Sequence, residues 1–89
     1  MKHLKIIVKG RVQGVFFRKY TQEKALELVI QGTVKNRTDR NVEIYATGAE
    51  QAMQAFVAWC HEGPGLSQVS EVEISEISEQ AEYNGFEVV

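Results

Sequence analysis

The sequence predicts an α+β fold, in which two amphipathic helices cover one face of an antiparallel β-sheet. Several short segments alternate apolar and polar residues, which is typical of strands. Two longer segments carry apolar residues at i, i+3 and i+4 spacing, which is typical of helices. The 89 residues suffice for one core between two layers, so we expect a single domain over residues 1–89.

The first strand and the first helix are predicted before Gly32. In HLKIIVKGRV, the residues Leu4, Ile6 and Val8 share one face, as in a strand. From Phe17 the period changes to that of a helix, and Gly32 is a plausible break after it. One stripe of this amphipathic helix, at i, i+3 and i+4 spacing, comprises Phe17, Tyr20, Thr21, Lys24, Ala25 and Leu28.

The second half of the pattern adds strands on both sides of another helix. TVKNR and NVEIYATG predict two strands joined by the turn TDRN, where Asn41 tolerates a left-handed backbone. AEQAMQAFVAWCHEG predicts a helix that ends at residues 63–65. VSEVEISEI predicts a fourth strand and YNGFEVV a short C-terminal strand. The order βαββαβ plus a terminal strand is the split βαβ, or ferredoxin-like, sandwich.

The composition is that of an ordinary globular protein, with 44% hydrophobic and 25% charged residues. No apolar run approaches the roughly 20 residues of a membrane helix, and the first ten residues lack the apolar centre of a signal peptide. We therefore expect a cytoplasmic protein without a membrane partner. Cys60 is the only cysteine, expected to be a buried inert thiol, and His3 and His61 lack metal-ligand spacing. We expect no metal and no cofactor.

The charges divide unevenly between the two halves of the chain. Residues 1–40 hold all ten Lys and Arg against three acidic residues, a net charge of +7. Residues 41–89 hold nine acidic residues and no Lys or Arg, a net charge of −9. Such polarity can mark an anion-binding face. Alternatively, the two halves interleave in one fold and the charges pair across it.

The junction between the first strand and the first helix, GRVQGVFFR, is suited to an anion. The first N–H groups of a helix have no internal partner, and loop N–H groups can form a nest beside them. Such junctions bind phosphate or sulfate. Arg18 is disfavoured by about 0.3–1 kcal/mol beside the positive end of the helix dipole. A bound anion would offset that cost, since a guanidinium can bind two phosphate oxygens at once.

Known phosphate-transfer motifs are absent from this loop. Gly10 and Gly14 enclose three residues, not the four of a Walker A loop, and no dinucleotide fingerprint follows the strand. Six positions before Arg18, where some phosphatases carry a nucleophilic cysteine, this chain has Val12. The attack would therefore fall to water, and the leaving group must depart easily, as a carboxylate does from an acyl phosphate. A tight glycine turn followed by a solvated arginine remains the alternative.

GRVQGVFFR followed by GTVKN resembles the acylphosphatase family, whose pattern is G-x-V-Q-G-V-x-[FY]-R with a later G-x-V-x-N. Nine consecutive positions fit, and Asn36 stands eighteen positions after Arg18. TDRNVEI, GPGLSQVSEVEI and YNGFEVV continue the similarity over essentially the whole chain.

The resemblance implies hydrolysis of acyl phosphates to a carboxylate and inorganic phosphate, without metal or cofactor. We also expect a monomer, since nothing in the sequence demands more, and phosphate or sulfate as competing anions. Asn36 would orient the attacking water. The phosphoryl oxygens would be held by the guanidinium of Arg18 and by the backbone amides of one loop: Gln13, Gly14, Val15, Phe16, Phe17 and Arg18.

The chain departs from the family at four positions outside this motif. The family commonly has an aromatic residue at Thr33 and a glycine near Val29, and its hairpin often carries Pro and Gly where Thr38 and Arg40 stand. These departures concern packing and turn geometry, and therefore local stability more than chemistry.

Two other functions fit the same fold class. Acylphosphatase-like domains also occur as parts of larger proteins, so a non-catalytic module that binds phosphate or carbamoyl phosphate is an alternative. RNA-recognition domains share a four-stranded sheet with two helices, but they stack bases on a K/R-G-F/Y-G/A-F-V-x-F/Y strand. This chain has no such strand, and its second half is strongly acidic, so we expect no nucleic-acid partner.

Overall fold

The described residues form two helices and five strands, as the sequence predicted. The computed structural model describes residues 1–78 and 83–89, so Glu79 and Glu82 of the charge count lie outside the described residues. The elements follow in the order β1 (Lys2–Arg11), α1 (Phe17–Glu27), β2 (Gln31–Asn36), β3 (Val42–Gly48), α2 (Glu50–Glu62), β4 (Gln68–Glu76) and β5 (Phe86–Val88).

The strands form one sheet in the order β4-β1-β3-β2-β5. The first four pair antiparallel, as predicted, whereas β5 pairs parallel to β2, with Val88 opposite Val34. The five-stranded sheet is therefore mixed. Because β1 and β2 are both antiparallel to β3, they run in the same direction. The carboxyl-terminal ends of β1 and β2 therefore point to the same end of the sheet, with β3 between the two strands.

The core lies between the sheet and the two helices. Leu4, Ile6 and Val8 of β1 are buried together, which confirms the predicted face of that strand. Phe17 and Phe56 are fully buried from the helix side. Truncation of such a phenylalanine typically costs about 3–5 kcal/mol. Phe17 is the first residue of α1, so the core fixes the start of the helix that carries Arg18.

Cys60 is buried in this core, as the sequence indicated. Burial raises the pKa of its thiol to about 12, which keeps the group neutral and unreactive near pH 7. Within residues 1–78 and 83–89, no three His, Cys, Asp or Glu side chains gather as metal ligands would. Neither α1 nor α2 has the length and apolar character needed to cross a bilayer.

The end of α1 is a Schellman motif with an unusual residue at its centre. The N–H of Ile30 donates to the carbonyl of Ala25, and the N–H of Val29 donates to that of Leu26. The left-handed position of this motif is normally glycine, but here it is Val29, with φ of 58°. A β-branched residue is strained in that conformation.

The turn between β2 and β3 also contains a left-handed residue. It is Arg40, with φ of 72°, and not Asn41, which the turn chemistry had suggested. The N–H of Asn41 instead donates to Oδ1 of Asp39 at 3.2 Å, so Asn41 is held in place by a side-chain bond. Both left-handed positions, Val29 and Arg40, are ones for which the resemblance indicated glycine.

Candidate active site

The loop between β1 and α1 exposes several backbone N–H groups at one place. The first hydrogen bond of α1 runs from the N–H of Tyr20 to the carbonyl of Phe16, at 3.1 Å. The N–H groups of Phe17, Arg18 and the following residue precede this bond and have no partner within the helix. Gly14 (φ 74°) and Phe16 (φ 62°) are both left-handed, and left-handed residues turn successive amides toward one side, as in an anion nest.

The two glycines of the loop have different roles. A Cβ on Gly10 would lie 2.2 Å from the carbonyl oxygen of Gln68, at the point where the register between β1 and β4 shifts. Gly10 is therefore required by close packing of two strands. A Cβ on Gly14 would have no atom of the described residues within 4 Å. Gly14 is needed for its positive φ, and not for a close approach of the protein backbone.

A pocket of about 340 Å³ brings the two predicted catalytic residues together. Arg18 reaches it from the first turn of α1 and Asn36 from the last residue of β2. The lining comprises Val12, Gly14, Phe16, Phe17, Arg18, Lys19, Gln22, Asn36 and Val88. Of the six predicted loop residues, Gln13 and Val15 are not part of this lining.

Val15 and Gln13 are engaged elsewhere. The Val15 side chain is buried in the core cluster. The Nε2 group of Gln13 donates to the carbonyl oxygens of Arg37 and Asn41, both at 2.9 Å. The side chain of Gln13 thus connects the loop to the turn between β2 and β3, a contact between distant residues that no sequence pattern indicated.

Asn36 carries an unpaired acceptor. Its Oδ1 atom is buried, and no donor among the described residues lies within hydrogen-bonding distance. Buried polar atoms in native proteins nearly always have a partner, from protein, water or ligand. Since Asn36 also lines the pocket, this atom is suited to accept a hydrogen bond from a molecule bound there.

Four lining residues were not among the predicted site residues: Val12, Lys19, Gln22 and Val88. Gln22 lies four positions after Arg18 on the same helix face, a spacing that could have indicated it. Its Nε2 group donates to the carbonyl of Phe86 at 2.8 Å, which holds β5 against α1. Val88 had no local signal, because its position depends on the pairing of β5 with β2.

Half of the ten basic side chains form ion pairs with acidic side chains of the second half, which agrees in part with the alternative interpretation of the charges. They are Lys2, Lys5, Lys9, Lys35 and Arg37. Lys9 lies 2.9 Å from Glu73, and this hydrogen bond lowers the pKa of Glu73 and raises that of Lys9. Glu43, nearly buried, lies within 3.8 Å of three cationic side chains, which are Lys5, Lys35 and Arg37.

Arg18, like Arg11, Lys19 and Arg40, forms no ion pair with a described carboxylate. Over residues 1–78 and 83–89, no carboxylate lies within 4.0 Å of its guanidinium. A cation beside helix N–H groups, in a pocket, is suited to bind a small anion with several oxygens.

Comparisons with known proteins point to one family. The family model named Acylphosphatase matches residues 4–88. An acylphosphatase of Thiobacillus denitrificans is 44% identical over 87 residues, which cover 98% of this chain and 96% of that protein. The crystal structure of the acylphosphatase from Bacillus subtilis superimposes with a TM-score of 0.95 at 40% identity, covering 100% of this chain and 99% of that one.

A similar unit also exists within a much longer protein. Full-length HypF, solved in its phosphate- and nucleotide-bound form, matches with a TM-score of 0.90 at 31% identity. The match covers 99% of this chain but 12% of that one.

Proposed function

The chain belongs to the acylphosphatase family and hydrolyses acyl phosphates, and we propose that Arg18 and the loop amides bind the phosphoryl group while Asn36 orients the water. The observation that supports this assignment is the pocket shared by Arg18 and Asn36. One contributes a fixed positive charge, and the other contributes a buried oxygen without a donor among the described residues.

The phosphoryl cradle consists of two kinds of donor. The guanidinium of Arg18 donates two parallel N–H groups to two phosphoryl oxygens. Backbone N–H groups of residues 13–18 surround the remaining oxygens, with Gly14 and Phe16 in the left-handed conformations that direct them. Phosphoryl transfer requires mainly positioning and stabilisation of charge on these oxygens. Inorganic phosphate and sulfate, which offer the same oxygens, compete for the cradle.

Asn36 positions the nucleophile. Its Oδ1 accepts one hydrogen bond from water, which leaves a lone pair of the water oxygen free to face phosphorus. The water O–P bond forms as the P–O bond to the acyl group breaks, and that electron pair leaves with the carboxylate. Both protons of the water remain on the phosphate product. A carboxylate needs no proton near pH 7, since carboxyl pKa values lie around 4, so the reaction requires neither a general acid nor a strong base.

Location and assembly are part of the same proposal. We propose a monomeric enzyme in which residues 1–89 act as one domain, since Arg18 and Asn36, the two residues to which the reaction is assigned, line the same pocket. The single buried cysteine fits a reducing compartment such as the cytoplasm. The alternative of a non-catalytic phosphate-binding or carbamoyl phosphate-binding module draws support from the match to 12% of HypF.

Hydrolysis of benzoyl phosphate by the purified protein tests the proposal. We expect release of benzoate and phosphate that inorganic phosphate inhibits competitively and that EDTA leaves unchanged. Calorimetric titration with phosphate is carried out on the same sample. Phosphate binding without turnover would support the non-catalytic module, and inhibition by EDTA would indicate a metal in the reaction.

A further inference from the structure

The side chain of Gln13 lies between the two parts of the proposed site. Its Nε2 group uses both hydrogens, one to the carbonyl of Arg37 and one to the carbonyl of Asn41, at 2.9 Å each. These two residues form the ends of the turn that follows Asn36, where the N–H of Arg37 donates to the carbonyl of Asn41 at 2.8 Å. The side-chain amide of Gln13 therefore binds both ends of the turn at residues 37–41 to the loop.

The sheet topology explains why this contact matters. β3 lies between β1 and β2, and both Val8 and Asn36 pair with Val42, so at the level of Asn36 the two strands are about 9–10 Å apart, two strand spacings. Backbone pairing relates the loop to Asn36 only through β3. Among the described residues, the two bonds of Gln13 are the hydrogen bonds that join residues 12–18 directly to residues 36–41.

We infer that Gln13 is a positioning residue, whose side-chain amide fixes the distance between the phosphoryl cradle and the water held by Asn36. The inference rests on the proposed function. Gln13 directly precedes Gly14 of the cradle, and Arg37, which accepts one of its bonds, directly follows Asn36. A displacement of the turn would move the water relative to phosphorus while Arg18 stayed in place on α1.

The test begins with Gln13→Met, which keeps the length of the side chain and removes both donors. A displacement of about 1 Å between reacting groups can cost about 100-fold in rate. We expect kcat for benzoyl phosphate to fall about 10- to 100-fold, while the inhibition constant of phosphate rises less than about threefold. A loss of phosphate affinity as large as the loss of kcat would show that the side chain of Gln13 contributes to the cradle itself and would overturn the inference.

A double-mutant cycle with Asn36→Ala identifies the residue through which Gln13 acts. Once Asn36 is gone, its position no longer matters, so the double variant should match Asn36→Ala in kcat within about threefold. Losses that multiply across the two substitutions would show that Gln13 acts independently of Asn36 and would overturn the inference.

A matched control separates positioning from general stability. Ser67→Ala removes another bond from a side chain to a turn carbonyl, that of Pro64 at 2.6 Å, away from the pocket. We expect its kcat to equal that of the wild type. If Ser67→Ala lowers kcat as much as Gln13→Met does, the effect of Gln13 is one of stability alone. Should Gln13→Met fold poorly, Gln13→Asn, whose side chain is one methylene shorter, is measured in the same way.

Backbone relaxation by NMR tests, without an activity assay, whether the side chain of Gln13 holds the turn at residues 37–41. In Gln13→Met, order parameters at residues 37–41 should fall from about 0.85, typical of rigid backbone, toward 0.6, while those in α1 stay unchanged. Unchanged values at the turn would overturn the inference even if the wild type is active. Conversely, lowered order parameters in Gln13→Met would confirm that Gln13 holds the turn. If the wild type then failed to hydrolyse benzoyl phosphate, the proposed function would be overturned.

Discussion

The loop at residues 12–18 and the turn at residues 36–41 contribute to one pocket in different ways. The loop offers its own backbone and one cation within seven consecutive residues, and the burial of Phe17 fixes it to the core. The turn region offers a single side chain, Asn36, which pairs with β3 and precedes a turn that the side chain of Gln13 binds. A contiguous site keeps its geometry as a unit, whereas a residue contributed from elsewhere depends on every contact that holds it.

Removal of the Arg18 guanidinium should have the largest effect on activity. Arg18→Ala is expected to lower kcat/KM for benzoyl phosphate by about 1,000-fold or more, the scale of a phosphoryl-binding arginine, and to weaken phosphate binding. Arg18→Lys should recover little, because an ammonium cannot bind two oxygens in a fork. Arg11→Ala is the matched control, since Arg11 lies outside this pocket and should keep full activity. Wild-type turnover by Arg18→Ala would exclude the cradle.

Removal of Asn36, the residue proposed to hold the water, should distinguish the turn region from the loop most clearly, through kcat and phosphate affinity. We expect Asn36→Ala to lower kcat by roughly 100-fold and to change the calorimetric affinity for phosphate by less than twofold, because the anion is held by the loop. Asn36→Asp should impair both, since a carboxylate repels the phosphoryl group. If Asn36→Ala loses phosphate affinity as Arg18→Ala does, Asn36 belongs to the cradle.

The glycines of the loop should differ in their effect on stability. Gly10→Ala would bring a methyl group to 2.2 Å from the carbonyl of Gln68, so urea denaturation should show a loss of about 2–4 kcal/mol. Gly14→Ala meets no described atom and should cost about 1–2 kcal/mol, the strain of a left-handed alanine. Equal losses of unfolding free energy in Gly10→Ala and Gly14→Ala would mean that close packing of β1 against β4 adds no cost at Gly10.

The smallest effect is expected outside both regions, at the end of α1. Val29→Gly should raise the free energy of unfolding by about 0.5–1 kcal/mol, because glycine relieves the left-handed strain, partly offset by a more flexible unfolded chain. The valine side chain is 82% exposed, so little burial is lost. Val29→Ala keeps the Cβ and should gain less. Unchanged kcat in Val29→Gly would show that strain at this helix end is independent of the site.

The sequence alone determined the elements and half of the site. Each strand and helix follows from apolar spacing within a few residues, because such spacing decides which face can be buried. The glycines and Arg18 could be identified for a similar reason, since a strand–loop–helix junction has local requirements for φ and offers free N–H groups. The comparisons confirmed the family that GRVQGVFFR and GTVKN resembled.

Only the tertiary structure decided how the second half of the site is placed. The parallel pairing of β5, the lining by Val88, the unpaired Oδ1 of Asn36 and the bonds of Gln13 all join residues distant in sequence. The turn chemistry of TDRN likewise left open which residue is left-handed, and the structure assigned Arg40. Local patterns specify conformation and burial over one element, but the order of strands and the partner of a single amide arise from packing of the whole chain. Tertiary packing therefore specifies the distance between Arg18 and Asn36, on which the proposed chemistry depends.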